Sequence, residues 1–352
     1  MNEAELRAWF DERVATNAFR GVAIAWSDGA PIFEYAGGLA HRGLGVPVAL
    51  DTRFAVASIT KMATAVTALR FVDRGLIRLD QPLAELLPPE QQPVALTPEL
   101  TLHHLLSHTS GLTNYHDDDD ATGASWMSCW DRISTYHARR PADILPLFRD
   151  LPARAAPGAE YRYGDANFIL VGLVIEAVTG RAYGDVVADE VFGPAGLGDT
   201  AIEQLDDEPR RVAVGYKVDD GPADAWKTNI YSITASGMPD GGMNTTAHDL
   251  ARLIDAILAG RLLPAPLVAA MTSPQGPNRT DLEQYGYGCE LAVVDGAVTI
   301  IGHGGGDPGV SAMLTRHLAA GITLSVVCNQ DRGSWAANKR LAEAFGLNEP
   351  RE

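Results

Sequence analysis

The strand-like segments of this chain sit at its two ends, and the stretch between them is helical and loop-like. Gly21 to Trp26 and Pro31 to Tyr35 are short apolar runs joined across Ser27-Asp28-Gly29-Ala30, the pattern of a β-hairpin. Strand character returns only at Leu291 to Ile301, Val310 to Leu314 and Ile322 to Asn329, before a closing helix from about Trp335 to Phe345. Strands need partners, so the two ends must meet in one sheet. The expectation is an α/β (α+β) fold: a central antiparallel sheet built from N- and C-terminal segments, flanked by helices, with a mostly helical region inserted. On this reading residues 1–75 and 285–352 form a discontinuous sheet domain. Residues 76–284 form the helical region, and the active site lies in the cleft between them.

Between the hairpin and the helical region stands Ser58-Ile59-Thr60-Lys61. Met62, Ala65, Val66, Leu69 and Val72 follow at helical spacing, which predicts a helix over 58–75 with Ser58 and Lys61 on one face of its first turn. A serine hydroxyl needs a base to become a nucleophile, and an amine one turn away can assist. The helix N-terminus adds partial positive charge and free N–H groups where an oxyanion forms. Lysine is scarce: Lys61, Lys217, Lys227 and Lys339 are the four among 28 lysine and arginine residues, so this offset is less casual than usual. Alone, the pattern also fits a helix cap followed by a surface lysine.

Two further blocks decide between these. Pro157-Gly158-Ala159-Glu160-Tyr161-Arg162-Tyr163-Gly164-Asp165-Ala166-Asn167-Phe168 precedes an apolar run to Val178, and Gly302-His303-Gly304-Gly305-Gly306-Asp307-Pro308-Gly309 lies between two β-like stretches. With Ser58-x-x-Lys61 they resemble the serine β-lactamase and penicillin-binding-protein superfamily, in its class C β-lactamase-like branch of family VIII carboxylesterases and D-aminopeptidases. Thr101 to Leu112, Gly241 to Leu250 and Tyr285-Gly286-Tyr287-Gly288 are similar to further blocks of that branch, in the expected order.

The resemblance implies that Ser58 is the acylated nucleophile and Lys61 its proton partner. Tyr163, matching the tyrosine of the Y-x-N motif, is implied to be general base and then proton donor to the leaving group. A phenol with an ordinary pKa near 10 needs a cation beside it for that work, and Lys61 is the obvious one. His303, Gly304 and Gly305 match the K-T-G strand, and the backbone N–H groups of Ser58 and Gly306 are implied to form the oxyanion hole. Two departures stand out. Asp165 replaces an asparagine; a carboxylate there holds Lys61 protonated and cannot donate a hydrogen bond to substrate. His303 replaces a lysine and removes a permanent cation for a substrate carboxylate. Both argue against efficient β-lactam hydrolysis.

Other candidates are weaker. His104 and His108 share an i, i+4 spacing but lack the glutamate of a zinc motif, and His116 beside Asp117 to Asp120 fits a solvated loop better than a cation site. Trp126, Trp130, Tyr136 and His137 follow Gly111 in a region expected to border the cleft, with Trp126 and Trp130 as substrate-wall aromatics. Asp249 reads as part of the cap of a helix beginning at Thr246.

Composition bounds the setting. The net charge of −17 disfavours nucleic acid or anionic membrane as a partner. Met1 to Arg20 reads as an acidic amphipathic helix without the apolar core of a signal peptide, and no run is long enough to span a bilayer. Cys129, Cys289 and Cys328 are odd in number and lack metal spacing, which suits a reducing cytoplasm. The resulting expectation is a cytoplasmic serine hydrolase that forms an acyl-enzyme on small ester or amide substrates, foremost a carboxylesterase, with no metal and no cofactor. The alternatives are a D-amino-acid amidase or peptidase, an acyltransferase, and a degenerate small-molecule binder.

Overall fold

A computed structural model describes residues 2–116, 126–218, 226–277, 280 and 282–347. The N-terminal segment forms helix α1 (Glu3–Ala15), started by the Asn2 side chain, which accepts hydrogen bonds from the Ala4 and Glu5 amides. Strands β1 (Gly21–Ser27) and β2 (Ala30–Gly37) follow. Their register runs from Gly21 opposite Gly37 to Ser27 opposite Ala30. Asp28 and Gly29 both have positive φ, +50° and +76°, the left-handed pair that closes a two-residue hairpin in step with strand twist.

The C-terminal part supplies β3 (Glu283–Tyr285), β4 (Glu290–Val294), β5 (Ala297–Asp307), β6 (Val310–His317) and β7 (Ile322–Cys328). All seven strands make one antiparallel sheet in the order β3-β4-β5-β6-β7-β1-β2. The two chain ends join where β1 pairs with β7, from Gly21 opposite Cys328 to Trp26 opposite Thr323. Paired on both sides and covered on both faces, β1 is buried throughout, which is why it reads as an unbroken apolar run.

The two faces have separate cores. Ala23, Ala25, Phe33, Tyr35, Leu324 and Val326 pack under α1, through Leu6 and Phe10, and under α5 (Ser334–Ala344), through Ala337 and Leu341. Val22, Ile24, Trp26, Leu314 and Val327 face the larger core. That core contains α2 (Thr60–Asp73), α3 (Asp165–Thr179) and α4 (Ala247–Leu258). α3 is buried from Asp165 to Ile175, so its sequence is apolar around the whole helix rather than striped.

α4 lies within the 76–284 stretch, yet it packs against β1 and β7. The Trp26 indole N–H donates to Asp255 Oδ2 at 2.8 Å across that contact. This larger core runs continuously from the sheet through the helical region. Among the described residues, no single helix is long and apolar enough to cross a membrane.

Candidate active site

Ser58 sits in a 3-10 turn (Ala57–Ile59) that leads into α2, so the α-helix proper begins two residues after it. The turn is held at both ends. The Val56 amide donates to Met243 O at 3.1 Å, and Thr60 Oγ1 donates to Ala57 O at 2.7 Å while accepting from the Met243 amide at 3.0 Å. Ala57 has φ +45°, an uncommon conformation for a residue with a Cβ, costing about 1–3 kcal/mol that the surrounding contacts must offset. Gly305 lies directly against this turn: a Cβ on it would fall 2.1 Å from the Val56 carbonyl oxygen. The glycine run of β5 thus lets the sheet edge approach the serine's turn.

Lys61 is 0% exposed and its ammonium has three partners: Ser58 Oγ at 2.9 Å, Asp165 Oδ1 at 2.5 Å and the Asp240 carbonyl oxygen at 2.7 Å. Three acceptors match the three protons of an ammonium. Burial by itself pulls the lysine pKa down, but the Asp165 carboxylate and its neighbours outweigh it, and the group is held above its ordinary value. Tyr163 is half-buried, with its hydroxyl facing Lys61 and Ser58 and its ring centroid 4.9 Å from Lys61 Nζ. Here the expectation from sequence needs correcting. Lys61 does favour the phenolate, yet burial dominates and raises the Tyr163 pKa above the ordinary 10.

Asp165 is the first residue of α3, where the helix dipole favours a carboxylate. Its helix start is capped from outside: Asn114 Oδ1 accepts from the Ala166 amide at 3.0 Å. Asp165 Oδ2 is 2.8 Å from His116 Nε2, so both carboxylate oxygens are engaged. Burial would raise the Asp165 pKa, but Lys61 and His116 hold it well below the usual carboxylate range. His116 in turn is raised above its ordinary value, the Asp165 contact outweighing burial.

Two further carboxylates face the same space. Asp240 Oδ2 accepts from the Tyr115 hydroxyl at 2.5 Å, and burial together with Asp165 pushes its pKa up to about 6. Asp307, at the end of β5, is pushed up to about 7 by burial and by Asp165 and Asp240. The Asp240 segment is seated by a close approach: a Cβ on Gly172 of α3 would fall 2.1 Å from Pro239 Cγ. Ser58, His116, Trp126, Asp165, Asp240, Gly306 and Asp307 all line one cavity of about 970 Å³.

The structure brings Ser58, Lys61, Tyr163, Asp165 and Gly306 together. Trp126 lines the cavity, its indole N–H donating to Ser232 O at 2.6 Å and its ring 4.8 Å from His116. Trp130 does not line it; it packs edge-on behind Trp126 at 5.4 Å. Gly305 supports the serine's turn from beneath. His303 is 2% exposed, with Nε2 3.0 Å from the Tyr285 hydroxyl and Nδ1 2.6 Å from Gly304 O, and burial lowers its pKa. Both of its nitrogens are therefore occupied within the protein, and position 303 carries no permanent cation.

His104 and His108 do not share a helix face, because the helix ends at Leu106 and His108 has φ +57°. His108 Nδ1 accepts from the Gly164 amide and from Asn167 Nδ2, fixing the Tyr163 segment. Asp249 lies in the first turn after the Thr246 cap, and its carboxylate accepts from the Asp199 amide and Thr200. Asp117 to Asp120 lie outside the described residues. Sequence reasoning missed His116, Tyr115, Asp240 and Asp307 as site residues. Only Asp307, immediately after the glycine triplet, carried a positional signal; Asp240 contacts Lys61 through its backbone oxygen, which any residue type has.

The family description "Beta-lactamase" matches residues 6–347. This chain belongs to the β-lactamase family. It is similar to esterase EstB of Burkholderia gladioli, 32% identical over 322 residues covering 83% of this chain and 80% of that protein. It is also similar to a D-aminopeptidase of Cereibacter sphaeroides, 28% identical over 95% of this chain and 62% of that protein. A penicillin-binding protein from Bacillus halodurans has a similar crystal structure, with a TM-score of 0.86, 32% identity, and coverage of 95% of this chain and 99% of that one. The chain is accordingly a serine hydrolase of the β-lactamase family with the expected sheet-and-helix fold.

Proposed function

We propose that the protein is a carboxylesterase-like hydrolase that works through an acyl-enzyme on Ser58. The observation that carries this reading is the Ser58 Oγ to Lys61 Nζ contact of 2.9 Å at the wall of the large cavity, with Tyr163 facing both. Lys61, held protonated by Asp165, acts as a fixed cation. Tyr163 in its ionised form takes the Ser58 proton as Oγ attacks the carbonyl carbon, with the Ser58 and Gly306 N–H groups as oxyanion donors. Tyr163 then protonates the leaving group, and water or another acceptor resolves the ester on Ser58.

The substrate is an ester or amide without a carboxylate near the scissile bond. The cavity lining includes the carboxylates Asp240 and Asp307 as well as Lys217 and Arg332, and His303 is buried and pushed toward neutrality, so position 303 offers a substrate carboxylate no permanent cation. The same two carboxylates favour one alternative, a D-amino-acid amide whose ammonium pairs with them. Three buried cysteines, Cys129, Cys289 and Cys328, fit a reducing cytoplasm.

The test is hydrolysis of p-nitrophenyl acetate and butyrate by wild type and Ser58→Ala, with nitrocefin and D-alanine p-nitroanilide in parallel. Ester turnover lost by at least about 10³-fold in Ser58→Ala, with little nitrocefin cleavage, is expected. Preference for the anilide moves the assignment to the amidase; no Ser58-dependent reaction on any substrate overturns it.

A further inference from the structure

Every cavity-facing proton acceptor matters for the second half of the reaction, because water is a weaker nucleophile than an activated serine. Lys61 carries its full set of protons and spends them on three acceptors. His108 accepts two donors at Nδ1, and both nitrogens of His303 are engaged. Tyr163 is held protonated by burial. Asp240 and Asp307 also line the cavity, but His116 is the imidazole there whose ring is held by a further carboxylate, that of Asp165.

His116 Nε2 meets the Asp165 carboxylate at 2.8 Å, while Nδ1 has no hydrogen-bond partner among the described residues. An ionised carboxylate only accepts, so Nε2 carries the proton and the neutral ring keeps its lone pair on Nδ1. The side chain is 20% exposed and lines the cavity that holds Ser58. Its ring is fixed between two aromatic neighbours, edge-on to Trp126 at 4.8 Å and to Tyr115 at 4.9 Å. A carboxylate that fixes the tautomer, a ring packed against two aromatic neighbours and a second nitrogen with no partner among the described residues are the parts of a general base.

Resting on the acyl-enzyme reading above, we propose that His116, oriented by Asp165, is the base that activates water to release the acyl group from Ser58. Nδ1 takes one proton from a cavity water as its oxygen attacks the acyl carbonyl carbon. Collapse of the tetrahedral intermediate breaks the bond to Ser58 Oγ. That oxygen receives the proton His116 took, relayed through the Tyr163 phenolate that acylation leaves, so a carboxylic acid departs and both residues return to their starting state. Lys61 and His116 thus use opposite oxygens of one carboxylate, the first for acylation and the second for deacylation. The groups that bear on His116 titration are Asp165 on α3, Asp240 on the segment before Gly241 and Asp307 at the end of β5, and the Tyr115 ring packs edge-on against it.

Stopped-flow hydrolysis of p-nitrophenyl butyrate, with intact-mass detection of the butyryl adduct on Ser58, tests the idea in wild type, His116→Gln and His116→Ala. Both variants should release a burst of p-nitrophenol at a rate near wild type, then turn over about 10²-fold more slowly while the adduct accumulates. The inflection that His116 titration gives the pH profile of deacylation should disappear, and added imidazole should speed His116→Ala. The burst itself reports that the variant site is folded. Adduct formation with deacylation and its pH profile unchanged overturns the inference alone, as does an equal loss of burst and steady-state rates in a folded His116→Gln. Absence of any Ser58 adduct in the wild-type enzyme, with turnover intact, overturns the acyl-enzyme reading as well.

Discussion

Asp165 Oδ1 and Lys61 Nζ lie 2.5 Å apart, with the lysine fully buried and the carboxylate at the first turn of the buried helix α3. A carboxylate in direct contact with the ammonium fixes the protonation state of the site. On the proposed mechanism Lys61 stays a cation, and the protons that move are those of Tyr163 and His116.

Removing that carboxylate leaves a buried ammonium without its charge partner. Asp165→Asn should lower stability by on the order of 3 kcal/mol in urea denaturation, since breaking a buried pair costs far more than an exposed one. The sign of its pH dependence is fixed by the lowered Asp165 value: its stabilisation is present above the ordinary aspartate range near pH 4 and lost as pH falls below it. Wild type and Asp165→Asn should therefore converge in stability at acid pH. A constant difference from pH 8 down to pH 2 would count against the pair.

Acylation should be alkaline-dependent. The Tyr163 pKa is raised, so the ionised phenol is a minor species at pH 7 and grows about tenfold per pH unit. The burst rate with p-nitrophenyl butyrate is expected to climb from pH 6 to pH 9 without a plateau, provided chemistry limits it. A plateau already at pH 7 would mean that another group takes the Ser58 proton.

Asp307 should show the opposite linkage to Asp165. Its folded value of about 7 lies above the ordinary carboxylate value, so folding is opposed increasingly as pH rises from about 4 to about 7. Asp307→Asn should raise Tm at pH 8 by on the order of 2–4 °C and leave it nearly unchanged at pH 4. Destabilisation at pH 8 would show that the carboxylate has a stabilising partner.

Gly305→Ala tests the seating of the nucleophile. Its Cβ would meet the Val56 carbonyl oxygen at 2.1 Å, so the Ala57–Ile59 turn or β5 must move. A loss of about 1–3 kcal/mol and at least tenfold in kcat is expected, read by urea denaturation and ester turnover. Full activity would mean that the turn accommodates the methyl freely.

The sequence by itself determined the hairpin, the sheet assembled from both chain ends and the Ser58–Lys61 pairing, because these follow from local periodicity, turn chemistry and the geometry of one helical turn. The resemblance to the β-lactamase family implied that Asp165 stands beside Lys61, and once they share a site opposite charges hold the lysine protonated. The tertiary structure alone decided that His303 turns inward to Tyr285, that Trp130 backs Trp126, and that burial outweighs Lys61 at Tyr163. It likewise brought His116 to Asp165 and the Asp240 carbonyl to Lys61. Those placements depend on how segments far apart in the chain close on one another, through Pro239 against Gly172, β5 against Val56 and Asn114 on the start of α3. Packing of that kind leaves no periodic trace, and a backbone oxygen leaves no trace at all, so only the folded chain could place them.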